Sequence, residues 1–238
     1  MVKTAAPEHR MGPGLGGLTV DAGYPTLALG RDASGALVQV SMFRPAPTTV
    51  VLIGTWWAAR VLVFRALGMG ATAAVRADGG GLARASLWTE LDHFAAGGGR
   101  RVWPVMDERQ APPPGVAWLV LHVFDTGPGG PAVRPALGPW QTQLTVFERP
   151  EQASAVTIAT ANIVLCQRLE RHEAEVVAAA RGRGAATVEL MSTLELGMVA
   201  ALAGGVDRPL WWAPTSTERR LFGDPTATER HLFGEPGF

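Results

Sequence analysis

Cysteine is all but missing from these 238 residues: Cys166 stands alone. No internal disulfide can form, which fits a reducing compartment. Its place in the apolar run Ile163-Val164-Leu165-Cys166 reads as a small buried hydrophobe and not as a nucleophile. Charge is scarce as well, at 18% of residues, and balanced at 21 basic against 21 acidic. Without a dense basic run the chain lacks the electrostatic footprint of a nucleic-acid binder. Between Thr48 and Asp78, a stretch that reads as strand–helix–strand, neither nucleotide signature, G-x-G-x-x-G or G-x-x-x-x-G-K-[ST], occurs, and no G-x-S-x-G elbow appears in the chain. The five histidines, His9, His93, His122, His172 and His231, show no metal-ligand spacing with a carboxylate. Acidic pairs such as Glu170 with Glu173, and Asp107 with Glu108, fall in segments that read as solvated helix or loop, which argues against a glycosidase pair. The sequence therefore implies no catalytic set, no cofactor and no metal.

The N-terminal MVKTAAPEHRMGPGLGG has no apolar core and is not a signal peptide. The greasiest stretch, Val50 to Val75, is interrupted by Arg60 and Arg65, each costing roughly 2.5–3.5 kcal/mol in a membrane span. It reads as the core of a soluble protein, and a cytoplasmic location is expected.

What is present is mostly globular: 47% apolar residues, with 29 glycines and 18 prolines that imply many turns. The chain is organised around Thr48 to Asp78. Val50-Val51-Leu52-Ile53 predicts a buried strand ending at Gly54. Trp57, Val61, Phe64 and Leu67 recur at helical spacing, and Ala71 to Val75 predicts a second strand. This is one βαβ crossover. In many α/β proteins the turn after the first strand holds a nucleotide. Here it reads Gly54-Thr55-Trp56-Trp57, with one glycine and two indoles whose rings would occupy the space a pyrophosphate needs. Asp78 sits where a ribose-binding acid would stand, although such a residue is commonly a turn or cap.

Around this unit, Thr26 to Phe43 predicts a β-hairpin turning at Arg31 to Gly35. Leu82 to Ala96 reads as a helix and Arg101 to Val105 as a strand near an edge, because of Pro104. Ala117 to Phe124 reads as an interior strand, with His122 as a hydrogen-bonded core residue. Asp125 to Gly138 is a loop of about fourteen residues at the end of that strand, where open α/β sheets keep their ligands. Gln141 to Phe147, Glu151 to Ala161, Asn162 to Gln167 and Glu170 to Ala180 continue the alternation of strand and helix. Ser192 to Glu195 reads as a capping box that opens one or two helical turns. Met198 to Ala203 and Leu210 to Trp212 predict a second hairpin. The fold class is thus α/β, a Rossmann-like layered sheet with helices on both faces plus an N-terminal and a C-terminal β-hairpin. The boundaries are a disordered tail over 1–17, one α/β domain over 18–213 and a tail over 214–238.

That tail carries a tandem repeat. Residues 214–224, PTSTERRLFGD, recur as 225–235, PTATERHLFGE, with eight identities in eleven positions. Two copies are too few for a solenoid. The repeat is either a duplication that lengthened the tail or a docking motif whose Leu221-Phe222 and Leu232-Phe233 pairs enter a partner's groove with gain from linkage. Eight tryptophans include the adjacent pairs Trp56-Trp57 and Trp211-Trp212. One ring of each pair can be core while the other faces outward, which makes Trp56, Trp211 and Trp212 interface candidates. The alternative is that these rings cover a sheet edge.

The apolar strand–helix–strand, PWQTQLTVF (139–147), ANIVLCQRLERHEA (161–174), the short Leu/Glu turn and the hairpin ending in WWAPTSTERRLFG follow one another in a recognisable order. Over roughly residues 48–223 this resembles the cytosolic domain of EccE-type components of actinobacterial type VII (ESX) secretion systems. The resemblance implies a non-enzymatic part of an inner-membrane secretion complex. Family members carry transmembrane helices ahead of this domain, and this chain has none. It therefore implies a scaffold or accessory subunit that reaches the membrane through protein partners, with oligomeric state open. The alternative reading is a nucleotide or nucleotide-sugar enzyme that uses the Asp125–Gly138 loop with Asp125 and Asp78.

Overall fold

A computed structural model describes residues 24–77, 88–94, 101–104, 119–127, 129–131 and 135–225. Its centre is a sheet of ten strands in the order β2-β1-β10-β9-β8-β3-β7-β6-β4-β5. The strands are β1 (Leu27–Arg31), β2 (Leu37–Val40), β3 (Thr48–Ile53), β4 (Thr72–Arg76), β5 (Val102–Pro104), β6 (Val120–Phe124), β7 (Gln141–Phe147), β8 (Ile163–Cys166), β9 (Met198–Ala203) and β10 (Val206–Trp212). The six strands from β8 to β5 pair in parallel, and the four from β9 to β2 add on antiparallel. The α/β class and both hairpins are as the sequence predicts.

Side-chain alternation along β3 decides which face each helix covers. Val50 and Leu52 point to the face packed by α1 (Trp56–Gly68), while Val51 and Ile53 point to the other. That second face is covered by α2 (Ala155–Thr160), α3 (Arg171–Ala180) and α4 (Ala185–Ser192), through Ile158, Val177, Val188 and Met191. α1 is capped by Thr55, whose hydroxyl accepts from the Ala58 N–H, and eight of its thirteen residues are buried. A helix so apolar all round would not stand alone; it belongs between the sheet and a further layer. That layer is α5 (Ser216–Phe222), from the first copy of the tail repeat.

The crossover leaving β3 is wider than a single step. The strand that follows α1, β4, lies three places away, with β7 and β6 between them. The later crossover from β7 through α2 places β8 on the opposite side of β3. The winding therefore reverses at β3, so the turn after it lies at a topological switch point. Every residue of β7 is buried, which suits a strand flanked on both sides by parallel neighbours.

The two hairpins belong to one sheet, because β1 pairs with β10 through Gly30 opposite Trp212 and Arg31 opposite Trp211. Gly30 is required there: a Cβ on it would come 2.1 Å from the Trp211 carbonyl oxygen. β5 lies at the edge, consistent with Pro104. Pro209 sits inside β10 beyond the two residues that β1 covers, so its missing N–H breaks no ladder on that side.

Two sequence expectations differ from the structure. The capping box at Ser192 to Glu195 is not a helix start. α4 ends at Ser192, and the Ser192 and Thr193 hydroxyls donate back to the carbonyls of Val188 and Glu189 one turn earlier. Reading those hydroxyls forward missed α4, whose eight residues follow the glycine at 184 with no side-chain cap. The turn placed at Gly204 to Asp207 is shorter, since Val206 and Asp207 already pair with Ala203 and Leu202. Of the predicted helix over 82–96, residues 82–87 and 95–96 lie outside the described residues; Trp88 and Thr89 are helical and Glu90–Phe94 continues as a 3-10 turn.

Candidate functional site

The site to judge is the turn between β3 and α1 at the carboxyl edge of the parallel strands. Gln167, the first residue past β8, reaches across this turn fully buried. Its Oε1 accepts the Thr55 backbone N–H at 2.6 Å. The Gln167 backbone N–H in turn donates to the Ile53 carbonyl, so the residue is held by the end of β3 and by the turn that follows it. Gly54 makes the approach possible, since a Cβ there would lie 2.4 Å from Gln167 Oε1. A second donor of the helix start, the Ala58 N–H, is taken by the Thr55 hydroxyl at 3.4 Å. A phosphate cradle works by aiming such N–H groups at an anion. Here a neutral amide oxygen and a hydroxyl already hold two of them, in a buried environment.

The turn is thus filled, but not as two adjacent indoles suggest. Trp57 turns inward, almost completely buried, edge-on to Trp212 at 5.6 Å between centroids. Its Nε1 donates to the Gly223 carbonyl at 3.0 Å. Trp56 is half-buried and meets Trp88 edge-to-face at 4.4 Å. Trp88 is completely buried and its Nε1 donates to Asp125 Oδ2 at 3.1 Å. Asp125, past the end of β6, is itself only 3% exposed, and its backbone N–H donates to the Arg76 carbonyl. An aromatic pair therefore lies between the β3 turn and the carboxylate. Close by, Arg60 on α1 lies 3.8 Å from Glu90, and burial lowers its pKa, opposed by the Glu90 charge.

The loop after β6 lies against α2: a Cβ on Gly130 would meet the Thr157 hydroxyl at 3.0 Å and the Phe147 ring at 3.4 Å. Asp78, the second carboxylate of the nucleotide reading, lies outside the described residues. His122 on β6 is half-buried and faces Ala74 of β4 and Gln143 of β7 across the ladder. Among the described residues, no group of three or more histidines, cysteines or carboxylates is placed to hold a metal ion. Cys166 is fully buried and its pKa is pushed up to about 12 by desolvation, with the Asp207 charge adding to it.

The candidate interface residues separate. Trp211 is 38% exposed whereas Trp212 is 6%, as alternation along β10 requires. Trp212 lies between Trp57 and the Arg65 guanidinium. Phe222 is half-buried on α1, edge-on to Phe64 at 5.5 Å and under Arg60 at 4.7 Å, and Leu221 is half-buried beside it. Leu232 and Phe233 lie outside the described residues. Sequence reasoning missed Gln167, Trp88 and the Arg65–Glu218 pair. The one available signal was a glutamine ending an apolar strand predicted beside the βαβ unit.

No known protein family matches this chain, and neither does any curated protein. Among the solved structures that align with it are three at 10% identity each. The conjugation coupling protein TcpA of pCW3, in its monomer form with ATPgS, aligns at a TM-score of 0.45 over 84% of this chain and 66% of its own. The cytoplasmic domain of the type VII secretion ATPase EccC of Thermomonospora curvata gives 0.42 over 90% and 31%. The cytoplasmic domain of EssC gives 0.37 over 80% and 44%. This chain spans less than two thirds of each of them. At that level of similarity none bears on what the chain does. Among the described residues no helix is long and apolar enough to cross a membrane.

Proposed function

We propose that this chain is a non-catalytic scaffold or accessory subunit of a type VII-like secretion apparatus, acting in the cytoplasm through protein–protein contacts. The observation that carries the non-catalytic part is the Gln167 side chain on the Thr55 N–H. To bind a phosphate in that turn, the protein would have to withdraw a buried amide from its partner and leave it unpaired, at a cost of about 1–3 kcal/mol, before any ligand contact forms. Asp125 adds support, since its carboxylate is covered and accepts from Trp88. The assignment to a secretion machine rests on the order of sequence segments that resembles EccE-type domains. The exposed Trp211 is the residue we assign to the partner interface, and the half-buried Trp56 at the start of α1 is a second candidate.

Thermal unfolding with magnesium ATP, GTP and UDP-sugars tests the reading. A ligand at 100 times its dissociation constant adds about 2.7 kcal/mol of stability. No shift is expected at millimolar concentrations of any of them. A clear shift that disappears in Asp125→Asn would establish the nucleotide alternative. Co-expression with the membrane subunits of the secretion complex tests the partner claim: co-purification is expected, with Trp211→Ala weakening it.

A further inference from the structure

The first copy of the repeat is a fitted part of the fold. Thr215 and Glu218 cap α5 reciprocally: the Thr215 hydroxyl accepts the Glu218 N–H at 3.2 Å, and Glu218 Oε2 accepts the Thr215 N–H at 2.7 Å. The Glu218 carboxylate, almost completely buried, also meets Arg65 of α1 with two parallel bonds of 2.7 and 2.9 Å. The rest of the Arg65 fork donates to the carbonyls of Ala28, Leu29 and Ala213. Phe222 covers Phe64, and the Gly223 carbonyl takes the Trp57 indole proton. The seat is therefore specific: a buried guanidinium, an aromatic wall and one indole donor, read by Thr, Glu, Phe and Gly at fixed spacing.

The second copy repeats all four of those residues, as Thr226, Glu229, Phe233 and Gly234. The three differences between the copies fall at Ser216/Ala227, Arg220/His231 and Asp224/Glu235. In the first copy all three positions are exposed to solvent. Whatever allowed the copies to diverge left the seat-facing residues alone. We propose that the Arg65 seat is a binding site for a capped helical T-x-x-E-x-x-x-F-G peptide, and that residues 226–234 are its second ligand within the chain. One seat thus has two keys. The first copy holds it by position, because it follows directly on Ala213. For the second to enter, eleven residues must loop out, which loop-closure entropy disfavours roughly thirtyfold. When the first copy is disabled or drawn away by a partner, the second closes the seat and keeps α1 covered.

Substitutions in the full chain test this through the unfolding midpoint and the Trp57 indole N–H resonance. Glu229→Ala should change neither. Glu218→Ala should lower the midpoint by no more than the roughly thirtyfold looping penalty and leave the Trp57 signal in its hydrogen-bonded position. Glu218→Ala combined with Glu229→Ala should lose several degrees more than the two singles together, and the Trp57 signal should move. Failure of the double variant to fold while both singles fold supports the proposal in the same way. The milder series Phe222→Ala, Phe233→Ala and their combination should repeat the pattern. If Glu218→Ala alone falls as far as the double variant, or fails to fold, the second copy does not reach the seat and the proposal is overturned. A loss from Glu229→Ala equal to that from Glu218→Ala would overturn it as well, since the second copy would then have a separate seat.

Discussion

At the residue scale, the protein is governed by a few side chains that use up polar groups which similar folds leave available. Gln167 and Gly54 form one such unit, since the missing Cβ of one admits the amide of the other. Gly54→Ala should destabilise by about 1–3 kcal/mol through overlap. Gln167→Ala should cost a similar amount by leaving the Thr55 N–H unpaired. Because the overlap in the first variant is with the side chain removed in the second, the double variant should lose less than the two together. Chemical denaturation of the four proteins measures that coupling, and strict additivity would contradict the packing described. Cys166 gives a second check. Buried, with its pKa at about 12, it should not react with thiol reagents at neutral pH until the chain unfolds. Labelling in native buffer at a rate comparable to that of a free thiol would show that the β8 layer opens.

At the element scale, α5 is held by charge inside an otherwise apolar contact, which makes its docking dependent on pH. Burial alone would raise the Glu218 pKa, but the hydrogen bonds from Arg65 and Thr215 outweigh it and hold the carboxyl below its ordinary value of 4.5. A carboxylate lowered in the folded state stabilises fully above its unfolded pKa, and the contribution is lost as pH falls through the folded value. Docking of α5 should therefore be constant at neutral pH and weaken below about pH 4.5. The Trp57 and Trp212 fluorescence is the signal to follow. Arg65→Ala should cost about 3–5 kcal/mol, because it strands Glu218 and three backbone carbonyls at once. Since both copies of the repeat would meet the same arginine, no tail residue can compensate for its loss.

At the scale of the molecule, one apolar core runs along the α1 face from Leu27 on β1 to Val102 on β5. The antiparallel half is joined to the parallel half by the β8–β9 ladder, and both halves share α1 and the layer over it. The hairpins should not melt separately. Far-ultraviolet and near-ultraviolet transitions should coincide, with aromatic signals from Trp57, Trp88 and Trp212 reporting both halves. Two resolved steps would place a domain boundary inside this sheet.

Residue order alone determined the local elements: the strand–helix–strand at 48–76, the interior strand at 120–124, both hairpins and the α/β class. Each rests on periodicity and turn chemistry that act over a few residues. Tertiary structure decided the rest. The separation of β3 from β4 by two strands, the seam between the hairpins at Gly30, and Gln167 on the Thr55 N–H all join residues more than twenty positions apart. So does the pairing of Glu218 with Arg65, 153 residues earlier. Whether two indoles fill a ligand turn or turn into the core depends on what lies opposite them. That partner is supplied by the packing of distant segments, and local spacing carries no record of it.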